Sequence, residues 1–230
     1  AGFALLTVPL HLAIPNGHYQ DMASGEGTER SHPDVRHSDR IIAGSLYALI
    51  VTLTNFLNSG LSAHMISMLT GLGLAASVAV WSATLRGIGQ SSARLCEVLF
   101  GARLHPLNLN LIATAVLPFC FIICLLSGQF VAAAVAFSFF YGAGNGIVTI
   151  TRGTLPLVLF DHRTYGAFVG QLLVPSFLLS AVAPLIYAFV IERWGEMTAI
   201  YLSIAIAFVT LAAAAALKIR FGVSGRLHQE

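Results

Sequence analysis

The sequence predicts an all-α transmembrane protein built around a six-helix bundle, and three observations support this prediction. Hydrophobic residues occupy 57% of the 230 positions and charged residues only 10%, whereas an ordinary soluble domain carries about 25% charged residues. Apolar runs such as 107–126 and 199–217 approach the ~20 residues with which a helix crosses a bilayer. They are too long for the alternating strands of an outer-membrane barrel. Helices are therefore the expected spanning elements.

Two segments precede the predicted bundle. Residues 1–15 are apolar but too short for a full span and lack a basic leader, so we interpret them as the truncated end of a preceding transmembrane helix. Residues 16–40 hold five of the ten acids and three of the eight histidines, without apolar periodicity. This composition predicts a polar cytoplasmic linker.

The six-helix bundle is predicted over residues 41–218, and residues 219–230 form a cytoplasmic tail. Short turns rich in glycine or polar residues separate its apolar segments. The predicted spans are 41–69, 74–100, 107–126, 130–157, 165–191 and 197–217.

The basic residues predict the orientation of the bundle. Eleven of the twelve Lys and Arg residues fall toward one side, and only Arg193 falls on the other. Because basic residues near helix ends are retained in the cytoplasm, the linker and the C-terminus are expected there. Residues 61–70, 127–129 and 192–196 are then expected to face outward.

The first outward turn has two candidate positions, 58–60 and 70–73. The earlier turn would place Arg86 in the cytoplasm, whereas the later turn places it ~20 Å into the membrane. A buried arginine costs at least ~2.5–3.5 kcal/mol on insertion scales. The later turn is therefore expected only if Arg86 has a specific role.

Three stretches resemble the major facilitator superfamily. The segment 62–73, SAHMISMLTGLG, is similar to the end of that family's seventh helix and favours the later turn. The segment 89–103, GQSSARLCEVLFGAR, resembles the motif at the cytoplasmic end of helix eight, although it lacks the usual Asp and dense basic cluster. The segment 141–156, YGAGNGIVTITRGTLP, resembles helix ten of a bacterial branch.

The resemblance implies helices seven to twelve of a twelve-helix secondary transporter in a bacterial inner membrane. Two such six-helix halves rock about a shared site, and each contains three-plus-three inverted repeats. The implied partners are the lipid bilayer, a small-molecule substrate and a missing N-terminal half. Proton coupling is expected, with a small organic anion or an exported metabolite or drug as substrate. Neither a cofactor nor a nucleic acid is expected.

Polar side chains at membrane depth are the candidate substrate-cavity residues. The amides of Asn55, Asn58 and Asn145 must face protein or water, because unpaired amides are costly in lipid. Interhelical hydrogen bonds and cavity lining both remain open for them. Arg86 would need a partner, cavity water or an anionic substrate, and Gln90 stands where monocarboxylate carriers of the superfamily have an Asp. We expect Asn55, Arg86 and Asn145 to converge on one side of the bundle.

A second group of candidates belongs to gating and helix packing. The resemblance assigns Arg94, Glu97, Gly101 and Arg103 to a cytoplasmic gating motif, and the spacing of Arg94 and Glu97 allows a local ion pair. Arg152 is expected to anchor its helix at the cytoplasmic edge or to contact the loop 161–163. The GxxxG spacings in 142–146 and 166–170 predict close helix packing.

Two other classes of function compete with transport. A membrane-embedded enzyme would need clustered carboxylates, a metal-binding histidine set or a Ser/His pair at membrane depth. Glu97 is the one acid inside the predicted spans before the terminal turns, so catalysis and a bound metal are not expected. A scaffold without transport activity is the other alternative.

Overall fold

The computed structural model describes residues 37–100, 104–160 and 165–222, and this part of the chain is all-helical. The segments 1–15 and 16–36 and the tail beyond 222 lie outside it. The six helices are α1 (His37–Gly71), α2 (Ala76–Phe100), α3 (Pro106–Cys124), α4 (Val131–Leu159), α5 (Tyr165–Trp194) and α6 (Glu196–Phe221).

The helix boundaries differ from the predicted ones by at most four residues. Helix α1 runs without interruption past 58–60 and ends at Gly71, so the later of the two candidate turns is confirmed. Gly73 in this turn has φ 104°, a backbone conformation that glycine adopts without steric cost. The whole region 61–70, expected to face outward, is therefore helical and forms the last part of α1.

Five of the six helices are long and apolar enough to cross a membrane, which identifies an integral multi-pass membrane protein. These are α1, α3, α4, α5 and α6. Helix α2, with 25 residues, is long enough to cross a membrane. It carries the charged residues Arg86, Arg94 and Glu97, and it is not among the helices that are apolar enough to do so. The predicted count of six spans is thus supported for five helices.

The helices pack as two corresponding triplets. Helix α1 packs mainly on α5 and α6, helix α4 packs mainly on α2 and α3, and α3 packs on α6. Exchanging α1 with α4, α2 with α5, and α3 with α6 leaves these principal pairings unchanged. Because each triplet has an odd number of helices, the second begins on the opposite face of the bundle. The principal helix pairings of the first triplet therefore recur in the second.

The two ends of the bundle are tied by specific contacts. Arg220 in the last turn of α6 donates to Asp39 in the first turn of α1, with 2.9 Å between Nη2 and Oδ1. The start of α1 and the end of α6 therefore lie on the same face. At the opposite face, Gly71 lies so close to Glu196 that a Cβ would overlap the Glu196 side chain.

Aromatic packing fills the centre of the bundle. The rings of Phe121, Phe137 and Tyr141 lie within 5.8 Å of one another between centroids. Cys120 and Cys124 are buried beside them, as small apolar packing residues would be. Helices α3 and α4 are held together by this cluster, which fixes the side of α4 that faces α2.

Candidate functional site

Glycine residues bring α2 and α4 into backbone contact. A Cβ on Gly142 would overlap the carbonyl oxygen of Arg86, and one on Gly146 would lie 2.6 Å from the carbonyl oxygen of Gln90. The GxxxG spacing of 142–146 therefore permits close helix packing, as predicted. The second spacing does not serve this purpose at Gly170, where a Cβ would have no atom within 4 Å. The surroundings of Gly166 lie outside the described part.

This close approach places Arg86 beside α1 and α4 in the interior of its own helix. Arg86 lies ten residues after Ala76 and is partly buried. Its Nη2 donates to Asn58 Oδ1 and, at 2.9 Å, to Ser62 Oγ, both on α1. Its guanidinium carbon lies 5.3 Å from the centroid of the Tyr141 ring on α4, within the range of a cation–π interaction.

Asn58 joins three helices through one atom. Its Oδ1 accepts from Arg86 on α2 and also from Asn145 Nδ2 on α4, at 2.9 Å. We call Asn58, Ser62, Arg86, Tyr141 and Asn145 the Asn58 cluster. Interhelical hydrogen bonding of two of the predicted amides is thus present, and it includes Arg86 as a donor.

No carboxylate lies near Arg86 within the described residues. The acids in 37–100, 104–160 and 165–222 whose side chains the structure describes all lie in the first or last turn of a helix. These acids are Asp39, Glu97, Glu192 and Glu196. The charge of Arg86 therefore meets neutral oxygen acceptors and an aromatic face, which compensate a cation less than a carboxylate does.

The expected convergence of polar residues is only partly realised. Arg86 and Asn145 meet at Asn58, but Asn55 turns toward α5, where its amide donates to Ser176 Oγ. Gln90 is partly buried one turn beyond Arg86, and no hydrogen bond of its side chain is found among the described residues. Asn55 thus has a structural partner, whereas Gln90 remains a candidate beside the cluster.

Two members of the cluster were not predicted. Ser62 stands one helical turn after Asn58, and Tyr141 stands one turn before Asn145. The i, i+4 spacing places each on the same helix face as an amide already singled out. That spacing was the available signal, because neither residue type is unusual in a membrane helix.

Prolines in α4 and α5 expose carbonyl groups that α1 then binds. Proline lacks an N–H, so the carbonyl four residues earlier loses its helical donor. The carbonyl freed by Pro184 accepts from Ser59 Oγ at 2.6 Å. The carbonyl of Arg152, freed by Pro156, accepts from Tyr47 Oη at 2.8 Å. Polar residues of α1 thereby restore backbone hydrogen bonding that the prolines remove.

The gating motif has a different geometry from the one expected. Arg94 and Glu97 form no ion pair, since the single ion pair found among the described residues joins Arg220 to Asp39. Arg94 is exposed and Glu97 partly exposed at the end of α2, where pairing of two solvated side chains contributes little. Gly101 and Arg103 lie outside the described residues.

Arg152 lines an open surface cavity, and its anchoring at the cytoplasmic edge stays a prediction. The cavity has a volume of about 390 Å³ and lies between α1, α4 and α5. Asn145, Thr149 and Arg152 follow one another at i, i+4 and i+7 on α4, so one face of this helix leads from the Asn58 cluster to the cavity. The expected contact to 161–163 falls outside the described part. The cavity is lined by Tyr47, Thr149, Arg152, Gly153, Val169 and Leu173.

Comparisons with known proteins return no match. No family model, no curated protein and no solved structure matches the chain.

Proposed function

We propose that the chain forms one six-helix half of a secondary transporter of the major facilitator type, working by alternating access. The observation that carries this proposal is the Asn58 cluster, a cationic and amide-rich group set among apolar helices. Ionisable residues at membrane depth are costly and mark solute or ion pathways by default. A cluster that served only to hold helices together could use amides and hydroxyls without the cost of an arginine.

The packing of the helices also supports transport. Inverted triplets of the kind formed by α1–α3 and α4–α6 are the building plan of many secondary transporters. In such transporters the solute site lies between repeats, near the bilayer midplane. The Asn58 cluster joins α1 to α4, the corresponding first helices of the two triplets.

The polar face of α4 is the route that we propose for the solute. It runs from Asn145 past Thr149, which is exposed, to Arg152 and the cavity of about 390 Å³. Exposed apolar residues cover other surfaces, such as Ile112 and Phe119 on α3, as lipid contact requires. We infer that α1 and α4 line the solute pathway and that α3 faces lipid.

Uptake into proteoliposomes tests the proposal. The protein in its full natural length is reconstituted and offered labelled carboxylates, neutral solutes and amines of small size. We expect saturable uptake of one class, and in the Ser62→Cys variant we expect a water-soluble thiol reagent to block it, because the added group would fill the pathway. The matched Ile112→Cys variant on α3 should keep its uptake after the same treatment.

Two outcomes would contradict transport. One is the absence of saturable uptake for all three solute classes by protein that remains folded. The other is equal block of the Ser62→Cys and Ile112→Cys variants, which would show that the reagent acts elsewhere than in a pathway lined by α1.

A further inference from the structure

Arg86 has donors left over after its contacts within the cluster. A guanidinium carries five N–H groups. The hydrogen bonds to Asn58 and Ser62 both come from Nη2, so these two contacts occupy the two hydrogens of one nitrogen. No hydrogen bond from Nε or Nη1 is found among the described residues. Three N–H donors are therefore left without a hydrogen-bond acceptor among the described residues.

The two hydrogen bonds of Arg86 Nη2 limit the ways in which an anion can bind to the guanidinium. A guanidinium binds a carboxylate through two parallel N–H groups, either at the edge of Nε and Nη2 or at the edge of Nη1 and Nη2. Each edge includes one Nη2 hydrogen. A carboxylate can therefore bind at two points only if it replaces Asn58 or Ser62.

Ser62 is the contact that is easier to replace. Its side chain is exposed, whereas Asn58 is partly buried and also accepts from Asn145. Ser62 Oγ donates its own hydrogen to the Asn58 backbone carbonyl at 2.6 Å, so it stays hydrogen-bonded after Arg86 leaves it. A carboxylate accepts from a guanidinium more strongly than a neutral hydroxyl does.

We propose that Arg86 forms a carboxylate-binding subsite in which the anion replaces Ser62 and pairs with two N–H groups of the guanidinium. Asn58 and the Tyr141 ring stay in place and orient the guanidinium during binding. The bound anion supplies the negative charge that the described residues around Arg86 do not provide. The inference rests on the proposed function in one respect, because the anion must reach Arg86 through the pathway lined by α1 and α4.

Thermal unfolding of the purified full-length protein tests the subsite with defined probes. Acetate and benzoate are compared with acetamide and benzamide, their uncharged counterparts of similar shape, at equal ionic strength. A ligand that binds only the folded state raises the melting temperature. We expect both carboxylates to raise it and both amides to leave it unchanged.

Three variants test whether the stabilisation by carboxylates depends on Arg86 and Ser62, and a fourth variant is the control. Arg86→Gln should abolish the stabilisation, and Arg86→Lys should weaken carboxylate binding by about tenfold or more, because lysine keeps the charge but lacks the planar fork. Ser62→Ala should strengthen binding, since it removes the competing acceptor. Arg193→Gln, an exposed charge at the end of α5, should respond as the unaltered protein does.

The inference is overturned if acids and amides have the same effect on the unaltered protein, or if the response to acids persists in Arg86→Gln. If Arg86→Gln does not fold, equal binding by Arg86→Lys and the unaltered protein overturns it. Uptake measurements separate this result from the proposed function. If carboxylates stabilise the protein but no solute is taken up, the carboxylate subsite is supported and the transport proposal is contradicted. If neutral solutes or amines are taken up but carboxylates do not stabilise the protein, transport is supported and the carboxylate subsite is contradicted.

Discussion

Replacing Gly142 by leucine is expected to separate α2 from α4 and to prevent the bundle from folding. A Cβ at this position already overlaps the carbonyl oxygen of Arg86, and that atom belongs to helix backbone, which cannot rotate away. Overpacking of a well-packed interior costs about 1–3 kcal/mol for added methylenes, and a leucine adds more than the helices can accommodate. The yield of monodisperse protein and its melting temperature measure the effect.

Gly170→Leu provides the matched control, because it makes the same change at a position with no atom within 4 Å of a Cβ. We expect this variant to be produced as the unaltered protein is, and Gly142→Ala to fall between the two. Equal yields and melting temperatures for Gly142→Leu and Gly170→Leu would show that α2 and α4 are not in backbone contact.

Replacing Asn58 by leucine is expected to be the most damaging change within the Asn58 cluster. The variant leaves Arg86 and Asn145 without their common acceptor. Hydrogen bonds to charged groups contribute roughly 1.5–3 kcal/mol and neutral ones about 0.5–1.5 kcal/mol, so a loss of about 2–4.5 kcal/mol is expected. Asn58→Asp should be at least as stable as the unaltered protein, because its carboxylate accepts from both donors and balances the charge of Arg86.

The control for this prediction is Asn108→Leu on α3. Asn108 is partly buried like Asn58, but its side chain makes no hydrogen bond that the structure records, so the same substitution should change the melting temperature little. The role assigned to Asn58 is wrong if Asn58→Leu and Asn108→Leu are equally stable. It is also wrong if Asn58→Asp is as unstable as Asn58→Leu.

The helices of this fold could be predicted from the sequence because each is encoded locally. Apolar runs of membrane length and intervening polar turns placed every boundary within four residues of the structure. One choice was left open at the end of α1, because 58–60 and 70–73 both contain glycine and both resembled a turn. The structure separates their roles: Gly60 makes room for the Tyr187 ring of α5, and Gly73 provides the turn with its positive φ.

The candidate site could be predicted only residue by residue. Membrane depth singled out Asn58, Arg86 and Asn145, because the cost of polar groups in lipid depends on position along a helix. Their mutual contacts depend on which helices are neighbours, and one sequence does not specify that order. Asn55 shows the same limit, since its helix face was turned toward Ser176 on α5 and not toward α4.

The local ion pair that the spacing of Arg94 and Glu97 allows is not formed in the structure, for a related reason. The spacing allows the contact, but exposure at the helix end removes most of its benefit. Helical spacing therefore predicts which residues share a face, whereas burial decides whether they interact.

The most direct measurement of the central claim is the two-sided reactivity of the α1–α4 pathway toward water-soluble thiol reagents. Ser62→Cys, Thr149→Cys and, for lipid contact, Phe119→Cys are made in a background in which Cys96, Cys120 and Cys124 are replaced by alanine. Each is labelled in sealed vesicles of both orientations with an impermeant reagent. Alternating access predicts that the cysteines at positions 62 and 149 react from either side and that the one at 119 reacts from neither. If positions 62 and 149 are as unreactive as 119 in both orientations, no water-filled path reaches the Asn58 cluster and the transport proposal fails.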